Sequence, residues 1–131
     1  MKPLIPVSVG ELIDKITILQ IKQQQLRQPE QRRNVEQELN QLETVLSSLP
    51  LAAEAEALAS LTAKLREVNE QLWQIEDAIR LEERLRRFDQ PFITLARSVY
   101  QRNDERAAIK RSINTLVGSS LIEEKSYEPY G

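Results

Sequence analysis

Two carboxylates one helical turn apart, Glu11 and Asp14, stand near the start of the chain, and a polar group, Arg102, Asn103, Arg106 and Lys110, recurs at helical spacing near its end. With Glu76 and Asp77 between them, and Lys125 and Tyr127 in the C-terminal tail, these are the residues best suited to chemistry. Arginine's planar fork binds carboxylates and phosphates in two-pronged fashion, so the group could hold a small anionic ligand or pair internally. The rest of the inventory is restrictive. The 131 residues include no Cys and no His, which removes disulfides, thiolate nucleophiles, imidazole bases and zinc-finger sites. Any metal would need oxygen ligands alone. There is no glycine-rich phosphate loop and no nucleophile elbow, and no cofactor is expected.

The arginines break an apolar pattern. Leu95, Val99, Ile109, Ile113 and Leu116 follow alternating four- and three-residue spacing, and Arg102 and Arg106 occupy the two steps between Val99 and Ile109. A buried, unpaired guanidinium costs several kcal/mol, so each must find a partner or reach water. A turn at Asp89 would set Arg102 opposite Glu76 and Asp77, and Arg106 near Trp73, itself expected in the core. Two readings follow. One is an internal ion-pair layer that fixes helix register, a well-attested use of polar seam positions. The other is a basic pocket for a carboxylate or phosphate. Packing of Lys125 and Tyr127 over the arginines is the observation that separates them. Arg84, Arg86 and Arg87 read as solvated cations at a helix end.

Glu11 and Asp14 admit two readings as well. Their spacing resembles half of the magnesium-binding pair of all-helical nucleotide pyrophosphatases, for which Glu67 and Glu70 would supply the facing pair. Alternatively, Ser8-Val9-Gly10-Glu11 is a capping box and Asp14 sits toward the positive end of a helix dipole. The Glu-Leu-Ile-Asp-Lys-Ile stretch and the seam arginines are also loosely similar to chorismate mutase. No arginine begins the first helix on its core face, as that likeness would require.

The elements that must position these residues are helices. Glycine is scarce, Gln, Glu, Leu and Arg abound, and apolar residues recur at helical period. Helices are expected over about 8–27, 30–48, 51–87 and 91–117, with a tail over 119–131. Pro29, Pro50 and Pro91 lie at the junctions and Gly118 is a natural C-terminal stop. The second helix carries Val35, Leu39, Leu42, Leu46 and Leu49; the third carries Leu58, Leu61, Leu65, Val68, Leu72, Ile75 and Ile79. The expected fold is all-α: one domain over 1–131, an elongated antiparallel four-helix bundle of coiled-coil hairpins with one long central helix. The first half of that central helix would pack on the second helix, Val35 opposing Leu65, and its second half on the fourth.

Composition narrows the partners. Eighteen basic and 20 acidic residues give a net charge of −2, which argues against a nucleic-acid footprint. No stretch resembles a signal peptide or a membrane span, and a cysteine-free chain of this kind is expected to be cytoplasmic. Long seams on so slim an object leave an apolar strip for a second copy to cover, so a homodimer is expected, with a partner protein besides. The leading expectation is a non-enzymatic, self-associating interaction module; the alternative is an anionic-ligand or carboxylate-metal site in the polar group.

Four ordered motifs, SVGELIDKITIL, LWQIEDAIR, LARSVYQRNDERAAIKRSIN and GSSLIEEKSY, together resemble an uncharacterised family of short bacterial all-helical domains. The resemblance covers most of the chain and implies a helical domain of unassigned function. Its motif positions fall on Glu11, Asp14, Lys15, Glu76, Asp77, Arg97, Asn103, Asp104, Arg106, Lys110 and Glu124 to Tyr127.

Overall fold

A computed structural model describes residues 1–130 and is all-helical over them. Four helices follow in order: α1 (Val9–Gln25), α2 (Pro29–Ser47), α3 (Ala55–Arg84) and α4 (Gln90–Val117), with a single 3-10 turn, Ala52–Glu54, ahead of α3. The central helix is thus shorter than the 51–87 expected from its seam. At its start, Glu54 N–H bonds back to Leu51 C=O in the 3-10 turn. At its end, Arg86 takes φ 54°, and the Arg86 and Arg87 amides donate to Glu83 and Glu82 carbonyls at 3.1 and 2.9 Å. This is a Schellman stop built without glycine. Left-handed backbone costs a side-chain-bearing residue about 1–2 kcal/mol, while a glycine there adds about 0.4–1 kcal/mol of freedom to the unfolded chain. Arg86→Gly should therefore stabilise the fold by about 0.5–1 kcal/mol in a denaturant titration. α4 ends the same way at Gly118, φ 64°, with Ser119 N–H donating to Asn114 C=O at 2.9 Å.

α1 is the helix that all others share, because it is apolar on two sides. Leu12, Ile16 and Leu19 pack with Val35 and Leu39 of α2, while Ile13 packs with Leu58 and Leu65 of α3 and Ile113 of α4. The expected pairing of α2 along α3 does not form: Val35 and Leu65 belong to separate clusters, and α2 lies on α1 instead. A helix with one apolar seam, such as α2, can satisfy it against a single neighbour; α1 needs several.

The beginning of α1 is pinned against the end of α4. The Ser8 side chain accepts from Glu11 N–H at 3.0 Å, Asn114 Oδ1 accepts from Gly10 N–H at 2.7 Å, and Ser119 Oγ accepts from Val9 N–H at 3.2 Å. Three first-turn amides that a helix cannot satisfy internally are met in this way. The approach is close enough to demand glycine: a Cβ on Gly10 would lie 2.6 Å from the Lys110 carbonyl oxygen. Alanine favours a helix over glycine by about 1 kcal/mol, but here the clash with backbone dominates. Gly10→Ala should destabilise the protein by about 1–3 kcal/mol, read from its unfolding midpoint.

Burial is uneven along α3 and α4, which pack on each other. The last buried residue of α3 is Asn69 and the first of α4 is Lys110; none of residues 70–109 is buried. This stretch, hereafter the arm, still carries the apolar seam positions Leu72, Ile75, Ile79, Leu95 and Val99. At its far end Leu81, Leu85, Phe88 and Ile93 are exposed, Phe88 meeting Phe92 edge to face at 5.3 Å.

Candidate functional site

Where α1, α3 and α4 converge, the helices bring charged side chains into the interior. Asp14 is completely buried. Arg106 grips it with both prongs, Nε donating to Oδ1 at 3.0 Å and a terminal nitrogen donating to Oδ2. Asn69, buried on α3, donates its amide to Asp14 Oδ1 at 2.8 Å and to Thr17 Oγ1 at 2.9 Å. Lys110 lies one turn along α4 from Arg106. Its Nζ donates to Glu11 at 2.5 Å and to Glu123 of the tail at 3.1 Å, and stands 3.7 Å from Asp14. Ser8 donates to the other oxygen of Glu123 at 3.2 Å, so the tail is tied to the start of α1 and to α4 at once.

The charges close on themselves. Two interior cations, Arg106 and Lys110, serve three carboxylates, Glu11, Asp14 and Glu123, and Lys15 completes the balance at the rim, 3.6 Å from Glu11. Burial alone would push Asp14 up, but hydrogen bonds from Arg106 and Asn69 and the charges of Arg106 and Lys110 outweigh it and hold the carboxyl below its usual range. The hydrogen bond to Asp14 raises Arg106 against its own burial. Burial lowers Lys110, and its bonds to Glu11 and Glu123 more than reverse that.

The direction of these shifts fixes the pH response. Asp14 has a depressed folded-state pKa, so its contribution is present above the unfolded value, about 3.9, and is lost as pH falls through the folded one. Lys110 has a raised pKa, so its contribution is present below about 10.4 and is lost as pH climbs through the higher folded value. Stability measured by urea titration should be flat from about pH 5 to 9 and fall on both sides, with the acid limb absent in Asp14→Asn.

Several sequence expectations are corrected here. Arg106 shares a recess with Trp73 of α3, as expected, but its ion-pair partner is Asp14 from α1, and Asp14 is thus an interior ion-pair partner, not a helix-terminus charge. Glu11 leaves its capping-box role to Ser8 and turns to Lys110. Arg102 does not reach Glu76 or Asp77: it pairs with Glu105 on its own helix at 3.1 Å, Glu76 pairs with Arg80 at 2.8 Å, and Asp77 is exposed. Glu76 does face α4 across a recess that it shares with Asn103 and Arg106, but its carboxylate is engaged by Arg80 of its own helix. Glu70 is paired with Arg66, and Glu67 lines a groove made only by α3 and α4. The second acidic pair that a magnesium site would need is therefore not presented to Glu11 and Asp14. Among the described residues, no group of three acidic side chains is placed to hold a metal ion.

Four of the candidates do meet in one place. Asn103, Arg106, Lys125 and Tyr127 line a space of about 1190 Å³ between α4 and the tail, together with Tyr100 and Tyr130. Tyr130 lies against Tyr100, ring centroids 4.8 Å apart, and its hydroxyl is raised by a hydrogen bond to Asp104. Glu76, Trp73, Asn103 and Arg106 line a smaller recess of about 290 Å³ between α1, α3 and α4, so Trp73 is half-buried at its wall. Asn69, Thr17, Asn114 and Glu123 carry much of this architecture and escaped the sequence reading. Only Asn69 and Asn114 left a trace, each being a polar residue directly after a seam position, Val68 and Ile113.

A family model described as a family of unknown function (DUF6165) matches residues 2–130. No curated protein and no solved structure matches the chain.

Proposed function

The chain belongs to the DUF6165 family of unknown function, and for it we propose a non-enzymatic, self-associating helical module that docks a partner protein. The observation that carries this reading is the arm: from residue 70 to residue 109 two helices continue an apolar seam with no buried residue between them. Two helices alone leave such a seam half wet, and a further helical surface from another molecule would cover it. The polar cluster supports the same reading, because its cations are already spent on its own carboxylates. It holds α1, α4 and the tail together and offers no net positive field to an anion. In this proposal α3 and α4 form an antiparallel coiled-coil hairpin, the protein is elongated, and it works as a homodimer in the cytoplasm of a bacterium. The exposed Leu81, Leu85, Phe88 and Ile93 at the tip of the arm suit a partner protein.

A second reading rests on a different observation. The space lined by Asn103, Arg106, Lys125 and Tyr127 would accept a small ligand beneath the tail. Thermal melts separate the two. Self-association stabilises the folded state by mass action, so the melting midpoint should rise with protein concentration and stay put with phosphates, carboxylates and divalent cations. A midpoint independent of concentration but raised several degrees by one of those ligands would establish the second reading instead.

A further inference from the structure

We infer that a second copy of this chain seats on one particular face of the arm, the groove between α3 and α4 that α1 leaves open; the inference rests on the self-association proposed above and assigns it a surface. Two depressions of about 390 and 360 Å³ lie along this groove and are lined only by α3 and α4. They share Gln71 and Arg102, so they are one continuous feature. From Leu95 to Ile109 it runs for about 20 Å at 1.5 Å per residue, the length of a helix contact of several turns. Its floor is apolar, with Ile75, Leu95, Val68 and Ile109, and Ala78, Ser98 and Ala108 leave room for a close backbone approach.

Two features point to a second copy in preference to another occupant. The charged residues along the groove are Lys64 and Arg102 against Glu67 and Glu105, two of each sign. A strip balanced in this way sets no net repulsion against a second copy of itself, whereas a nucleic acid or an anionic lipid surface would call for one sign. The second feature is polar. Among the described residues, the buried side-chain atoms without a hydrogen-bond partner are Gln71 Oε1 and Arg102 Nε. One is an acceptor and the other a donor, and both belong to the residues at the middle of this groove. Both atoms are enclosed by their own chain, and in an isologous dimer Gln71 of one copy faces Arg102 of the other, so turning both side chains outward would pair the acceptor of one copy with the donor of its partner.

Because the native chain has no cysteine, single-cysteine variants give a clean test. Gln74→Cys, exposed on the groove, should form a disulfide-linked dimer rapidly under mild oxidant, and Gln24→Cys, exposed on α1, should not. Ala78→Arg should convert the native dimer to a monomer with unchanged helical circular dichroism. If the unmodified protein is dimeric but Ala78→Arg leaves it so and the two cysteines cross-link alike, this groove is not the interface, and self-association through another surface stands. If the unmodified protein is monomeric at every concentration, both the groove and the proposed self-association fall. Should Ala78→Arg unfold, the contrast between Gln74→Cys and Gln24→Cys decides alone.

Discussion

Replacing Arg106 with leucine is expected to destabilise the fold by about 3–5 kcal/mol, the usual cost of removing one member of a buried ion pair. The magnitude follows from what is left behind. Asp14 is fully buried and would keep only the Asn69 amide and the more distant Lys110, 3.7 Å away, so its charge would be uncompensated. Neutralising it by protonation lessens the loss but forfeits the hydrogen-bonded anion that Asn69 and Lys110 are arranged around. The double variant Asp14→Leu/Arg106→Leu should recover part of the loss, with a coupling energy of about 1–3 kcal/mol in a double-mutant cycle. Equilibrium unfolding of the four proteins supplies the numbers. An Arg106→Leu protein as stable as the parent would mean that the guanidinium is held for a ligand, and the cluster would have to be reinterpreted as a binding site.

Truncating Leu65 should cost about 2–5 kcal/mol, because its side chain is fully enclosed by Ile13, Leu58 and Ile113 and a cavity would remain. Ile75→Ala makes the informative contrast. Ile75 belongs to the same α3 seam, ten residues further on, but is only half-buried on the arm. In dilute protein its truncation should cost well under the Leu65 figure, about 1 kcal/mol, since part of that side chain is already in water. At high concentration the cost should grow, because a side chain covered by a second copy is then being removed. Leu65→Ala should show no such dependence. Melts of both variants at two protein concentrations make the comparison, and equal costs at both would remove the case for a covered arm.

What the sequence disclosed was whatever depends on local chemistry. Ser8 caps α1, Pro29 and Pro91 open helices, Gly118 closes α4 in left-handed conformation, and the helix boundaries lie within a few residues of those expected. The end of α3 was less legible, since an arginine at positive φ stands where glycine would have marked the stop. Pairings between distant segments were harder still. Seam arguments treat helices as neighbours when a short turn joins them, which set Arg106 against α3 and α2 against α3. The apolar residues on the second face of α1, Ile13 among them, instead draw α1 in beside α3 and α4. Asp14 therefore enters the interior beside Arg106, although nothing in its own neighbourhood distinguishes it from an ordinary first-turn carboxylate. Glu123 was illegible for a related reason: a tail residue acquires a partner only once the helices fix where the tail begins. Most of the pairing among these residues has to come from the fold.

Sedimentation equilibrium from micromolar to several hundred micromolar protein tests the central claim most directly. The account predicts a mass that rises with concentration from one chain to two and levels there, as a closed two-fold dimer requires. A single-chain mass maintained across the whole range would contradict it.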